Sequence, residues 1–173
     1  MNKKNTLTLS SLLFLICSVA LFFIDGYIKN ETVPNGIISV EFIYSIENFN
    51  TAMLSWDGVA KSALGISLGL DFLYIVFYSL CLYLLLILVA ETLEKSSNTI
   101  SQLLYAMAYF TPCIGALDIV ENWGLIQMLL VSQNDLWAKL AFYCAAIKFT
   151  CIALCMLVIA IAYVYAFAKS SKS

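Results

Sequence analysis

The chain has 173 residues, 62% hydrophobic and only 12% charged, with a net charge of −2 and neither histidine nor arginine. Soluble domains sit near ~45–50% apolar and ~25% charged, so a mean hydropathy of +0.92 points away from a water-soluble domain, and the length allows one domain. No basic stripe is present for nucleic acid, and without histidine the commonest metal ligand and neutral-pH proton shuttle are missing, so neither a metal nor a cofactor is expected.

Four apolar stretches reach the ~20 residues that a membrane-crossing helix needs: residues 7–28, 62–90, 101–131 and 137–168. They predict an all-α, four-transmembrane-helix bundle forming a single integral membrane domain over 1–173. The first stretch, with Lys3 and Lys4 ahead of it, has the look of a signal peptide. No small-x-small cleavage site follows it, however, Ile16 precedes Cys17, and the apolar run continues to Ile28. It is read as a retained span.

Residues 29–61 form a long first loop. Pro34-Asn35-Gly36 is a turn signal. Residues 37–44, rich in β-branched and aromatic side chains, predict a short extended segment. Ser45 is placed to cap a helix running from Ile46 toward Trp56, with Phe49, Ala52, Met53 and Trp56 on one face. That short amphipathic helix has two readings: it rests on the outer leaflet, or it covers a pocket that opens outward.

In the second span Gly65 and Gly69 form a G-x-x-x-G, which allows close helix approach. Thr99 and Ser101 are the expected caps of the third span. Pro112 within it deprives the Ala108 carbonyl of its helical donor and predicts a kink. Six cysteines lie within the spans and read as small hydrophobes. The tail from Lys169 to Ser173 is polar.

Lysines set the orientation. Lys3, Lys4, Lys95, Lys169 and Lys172 fall on one side, against Lys29, Lys61 and Lys139 on the other. The bias puts both termini in the cytoplasm, with Trp56 and Trp137 near the outer interface. Asp25 is read as interfacial.

Asp71, Asp118, Glu121 and Lys148 lie deep in the spans. A charge at that depth costs at least ~2.5–3.5 kcal/mol by insertion scales. At ~1.5 Å per residue, Asp71, Glu121 and Lys148 lie about 15–16 Å below the outer ends of their helices and Asp118 about 20 Å. Their faces are polar. Ser67, Asp71, Tyr74 and Tyr78 share one on the second span. Thr111, Gly115, Asp118, Glu121, Asn122 and Leu125 share one on the third, and Cys144, Lys148, Cys151 and Cys155 one on the fourth. Lys148 neutralises one carboxylate, which leaves two acids to share a proton, bind a cation or stay neutral.

The ordered runs from Pro34 to Phe42, Leu54-Ser55-Trp56, Ser67 to Tyr74 and Leu117 to Asn122 resemble a family of small uncharacterised bacterial four-helix integral membrane proteins. The resemblance covers the chain from Pro34 to about Leu130 and implies a four-helix membrane fold and a bacterial setting, without an activity.

The expected function is binding, with movement as an extension, of a small cationic or amphipathic ligand or lipid at Asp71, Tyr74, Tyr78, Asp118, Glu121, Asn122 and Lys148. The alternatives are a structural or assembly subunit of a membrane complex and a membrane-embedded enzyme using a carboxylate as acid or base. The partners are the lipid bilayer and such a ligand; self-association into an oligomer is compatible with the chain.

Overall fold

The computed structural model describes residues 2–94, 97–131 and 133–170, with side chains described through Ala166. Lys95 and Lys172, and the side chain of Lys169, used above for orientation, lie outside the described residues. So does the tail beyond Ser170. The described chain is all-helical: α1 (Lys3–Ile28), α2 (Ile37–Glu41), α3 (Ile46–Ser55), α4 (Gly58–Leu93), α5 (Asn98–Leu130) and α6 (Asp135–Ser170).

The four long helices match the four predicted spans and overrun most of their ends by a few residues, because polar caps extend them past the apolar run. Asn2 Oδ1 accepts from Lys4 N at 3.4 Å, and Asp57 Oδ1 accepts from Ala60 N at 2.8 Å. Neither Thr99 nor Ser101 caps α5, which Ser97 precedes. The Ser101 hydroxyl instead donates to the Ala90 carbonyl across the α4–α5 hairpin at 3.0 Å. At ~1.5 Å per residue α4 is about 54 Å long, well beyond a ~30 Å hydrocarbon core.

Large apolar side chains stay exposed along the outsides of all four helices, among them Phe22, Phe23, Val76, Tyr109, Leu157 and Ile161. All four helices are long and apolar enough to cross a membrane. A soluble monomer rarely exposes apolar patches beyond a few hundred Å², so this surface is compatible with a lipid environment.

The long helices pack in chain order: α1 on α4, α4 on α5, α5 on α6. Close approach is set on α5. A Cβ at Gly115 would meet Ser79 Oγ of α4 at 2.9 Å, and one at Gly124 would meet the Trp137 carbonyl oxygen of α6 at 3.1 Å. The G-x-x-x-G of α4 does not act this way: Gly65 has only Leu129 Cδ2 at 4.0 Å, and Gly69 faces open space. Pro112 is absorbed within a continuous α5, because the Thr111 hydroxyl donates to the freed Ala108 carbonyl at 2.7 Å.

The first loop departs from expectation in one respect. Residues 37–41 are a helical turn rather than an extended segment. Gly36 takes φ +59°, a left-handed conformation that suits glycine, and the Asp25 carboxylate fills the space its side chain would need. Asp25 Oδ1 accepts from Ile37 N at 2.7 Å, and Oδ2 pairs with Lys29 Nζ at 2.8 Å. Asp25 therefore organises the turn rather than merely meeting water. The α3 helix begins as predicted, with Ser45 Oγ accepting from Asn48 N at 3.2 Å. Its apolar face turns inward: Phe49, Ala52 and Trp56 are buried with Leu125, Met128 and Ala138. Trp56 is buried as well, its Nε1 donating to the Ile28 carbonyl at 2.7 Å.

Two apolar clusters result. One gathers the loop helices with the ends of α4, α5 and α6 near them; the other fills the opposite half, from Ile75 to Leu93 on α4 and Leu104 to Ile114 on α5. Asp71, Asp118, Glu121, Asn122 and Lys148 lie in the gap between them along their helices.

Candidate functional site

Helical spacing turns the six α5 residues singled out by sequence inward, and all are buried: Thr111, Gly115, Asp118, Glu121, Asn122 and Leu125. From α6, Lys148 is 4% exposed. Its Nζ lies 2.8 Å from Asp118 Oδ1, donating a hydrogen bond, and 2.8 Å from Glu121 Oε2. The second contact is an ion pair without hydrogen-bond alignment, so both Glu121 oxygens are buried with no donor. Asp118 Oδ2 accepts from the Tyr78 hydroxyl at 2.8 Å. Asp71 Oδ2 accepts from Asn122 Nδ2 at 2.6 Å. Among the described residues a single ammonium thus serves the layer, and three carboxylates, the Tyr78 hydroxyl and the Asn122 amide complete it.

A fifth charge joins from the loop. Glu41, the last residue of α2, is 7% exposed, and its Oε2 stands 3.9 Å from Lys148 Nζ with no hydrogen-bond donor. Burial pushes its carboxyl up to about 7, with Asp71 and Asp118 adding to the rise and Lys148 opposing it. Sequence reading missed Glu41 because it sat in a segment taken as extended loop. The available signal was a lone acid in the apolar run of residues 37–44. Aromatic contacts hold this turn on α6: Phe42 meets Phe142 edge-on and stacks on Phe149, each at 5.8 Å between centroids.

Beside the charged layer lies a cavity of about 640 Å³. α1 and α6 form its two sides, α4 its back, and Ile37 and Ile38 of α2 its cover. Asp71, Tyr74, Tyr78, Asp118, Lys148 and Glu41 border it. Of the residues expected in the site, Glu121 and Asn122 do not: they stand behind, one on Lys148 and the other on Asp71. Away from the charges the walls are apolar, including Leu7, Leu82, Leu85, Ile152 and Met156. Phe14 and Tyr74 meet at 5.1 Å and Tyr74 and Tyr78 at 5.5 Å in tilted contacts, an aromatic run from α1 to α4.

All six cysteines are free thiols, and no group of three or more His, Cys, Asp or Glu among the described residues is arranged to hold a metal ion. The groups gathered at the site are buried carboxyls, phenols and one ammonium, which suit binding of a cation or hydrogen-bond donor, or proton exchange.

No family model matches the chain, and no curated protein and no solved structure is found to be similar to it. The class accordingly follows from the fold: a helical bundle with four helices of membrane-crossing length and composition. Its particular features are the charged layer between two apolar clusters and the cavity that opens onto it.

Proposed function

We propose that the protein is a multi-pass integral protein of a bacterial inner membrane, with both termini in the cytoplasm, that binds a small cationic or amphipathic molecule or lipid at its acidic layer. The carrying observation is that three carboxyls, those of Glu41, Asp118 and Glu121, meet one ammonium, that of Lys148, beside a cavity that a fourth carboxyl, that of Asp71, also borders. Charges inside a bilayer are costly unless paired or used. Lys148 is engaged by Asp118 and Glu121. Asp71 and Glu41 face the cavity with neutral or distant partners, and a cation entering there would find both.

A purely architectural role is favoured by one observation, the double engagement of Lys148, since interhelical polar contacts also fix packing. It leaves the Asp71 and Glu41 carboxyls at the cavity unexplained. Native mass spectrometry of the gently extracted protein, wild type beside Asp71→Asn, separates the readings. The binding reading expects a discrete bound mass that the variant loses. A bare wild-type protein, with a weaker fold in the variant, would overturn it and make the charges packing elements.

A further inference from the structure

We infer that the cleft takes a single-tailed amphiphile with a protonated primary amine as its head, admitted sideways from the lipid between α1 and α6. This deepens the function proposed above and rests on it. The first support is the shape of the site. α1 packs along α4 and α6 along α5, so the space between α1 and α6 is filled by the cavity rather than by interlocked side chains. A site whose open side faces the bilayer is reached from the bilayer.

The second support is its polarity along one axis. The charged groups gather at the end covered by α2, and the rest is mostly apolar as far as Leu7, Leu85 and Met156, interrupted by Ser11 and Cys81. From Asp71 to Leu85 the groove runs about 21 Å along α4. An occupant matched to it has one polar head and one long apolar tail.

The third support fixes the head. Glu41 lines the cavity, and its Oε2, buried 3.9 Å from Lys148 Nζ, has no donor; Asp71 lines it too, with a single neutral partner in Asn122. A buried acceptor left without a hydrogen bond is costly, so the occupant has to bring N–H or O–H donors. The surplus of carboxyls asks for positive charge. The rings of Tyr74 and Tyr78, which border the cavity, suit an ammonium. A phosphate head is disfavoured, since Lys148 is already held at 2.8 Å by two carboxylates and the remaining groups would repel an anion. A quaternary ammonium supplies charge and no donor.

The test is occupancy read by native mass spectrometry of the full chain in lipid nanodiscs, titrated separately with hexadecylamine, butylamine, hexadecanol, hexadecyl phosphate and hexadecyltrimethylammonium. Hexadecylamine is expected to bind at least tenfold more tightly than each of the others. Glu41→Gln should weaken it about tenfold while leaving the thermal unfolding of the empty protein in place. Leu85→Trp, which fills the far end of the groove, should weaken hexadecylamine and leave butylamine unaffected, whatever becomes of Glu41→Gln. Equal binding of butylamine would remove the tail from the proposal and leave cation binding standing. Equal binding of hexadecanol or hexadecyl phosphate would overturn the ammonium head. If no probe binds while the extracted protein carries a native mass, this inference fails and the broader one survives; if neither is seen, both fail.

Discussion

The Tyr78 hydroxyl donates to Asp118 Oδ2 at 2.8 Å, on the opposite oxygen from the one that Lys148 holds. A carboxylate served on both oxygens inside a bundle is a satisfied one, and removing either donor has a different cost. Tyr78→Phe keeps the shape and leaves one buried oxygen bare, so a loss of about 1–3 kcal/mol is expected. Unfolding of the detergent-solubilised protein by a denaturing detergent would measure it. An unchanged midpoint would mean that water replaces the phenol.

Lys148→Met should be more damaging, by about 3–5 kcal/mol, because it strands Asp118 and Glu121 without a counter-charge. Lys148→Met combined with Glu121→Gln should recover a good part of that loss, since Glu121 has no hydrogen-bond donor to lose. Additive losses in the double variant, measured in the same unfolding assay, would show that Lys148 and Glu121 do not act on one another.

Glycine substitutions should separate the two kinds of helix contact. Gly124→Ala sets a methyl 3.1 Å from a backbone oxygen of α6 and should cost about 1–3 kcal/mol through overpacking. Gly69→Ala meets nothing and should be neutral or stabilising by up to about 1 kcal/mol from helix propensity. Melting temperatures of the two variants check this, and their reversal would contradict the packing of α5 on α6.

Glu41 gives the loop a pH dependence. The groups facing it are Asp25 of α1, Asp71 of α4, Asp118 and Glu121 of α5, and Lys148 of α6. Its carboxyl titrates near 7 when docked against an ordinary 4.5, so the folded state holds the proton more tightly. Its contribution to docking is full below about pH 4.5 and fades as pH climbs to 7. Hydrogen exchange of residues 37–44 should therefore be slower at pH 5 than at pH 8, after correction for intrinsic exchange. Glu41→Gln should flatten that difference; a difference that persists would assign it to another group.

The architecture was largely legible because each long helix announces itself by an apolar run, and α4, α5 and α6 do so again by a polar stripe at helical spacing. The α5 stripe from Thr111 to Leu125 was readable to the residue, since a charge in an apolar helix has few places to point other than inward. Glu41 and the G-x-x-x-G were misread for a common reason: both depend on what lies opposite. Nothing local in residues 37–44 reveals that the Asp25 carboxylate, on another helix, holds the amide of Ile37 and turns an extended-looking stretch into a helical one. Nothing in the α4 glycines reveals that α5 supplies the close contacts through Gly115 and Gly124 instead. The cavity was beyond sequence reading as well, because it is the space left where α1 and α6 fail to meet.

The helices pack in the order in which they are made, each against its predecessor in the bundle, and that gives synthesis a direction. While the ribosome has delivered only the first three long helices, Asp71, Asp118 and Glu121 are already in place and the ammonium that meets two of them is not. The half-made bundle holds these carboxyls without their counter-charge until Lys148 arrives on α6. The last helix is thus the completing step of assembly, and a chain cut short of it would be left with unpaired carboxyls between its helices, an easy mark for proteolysis.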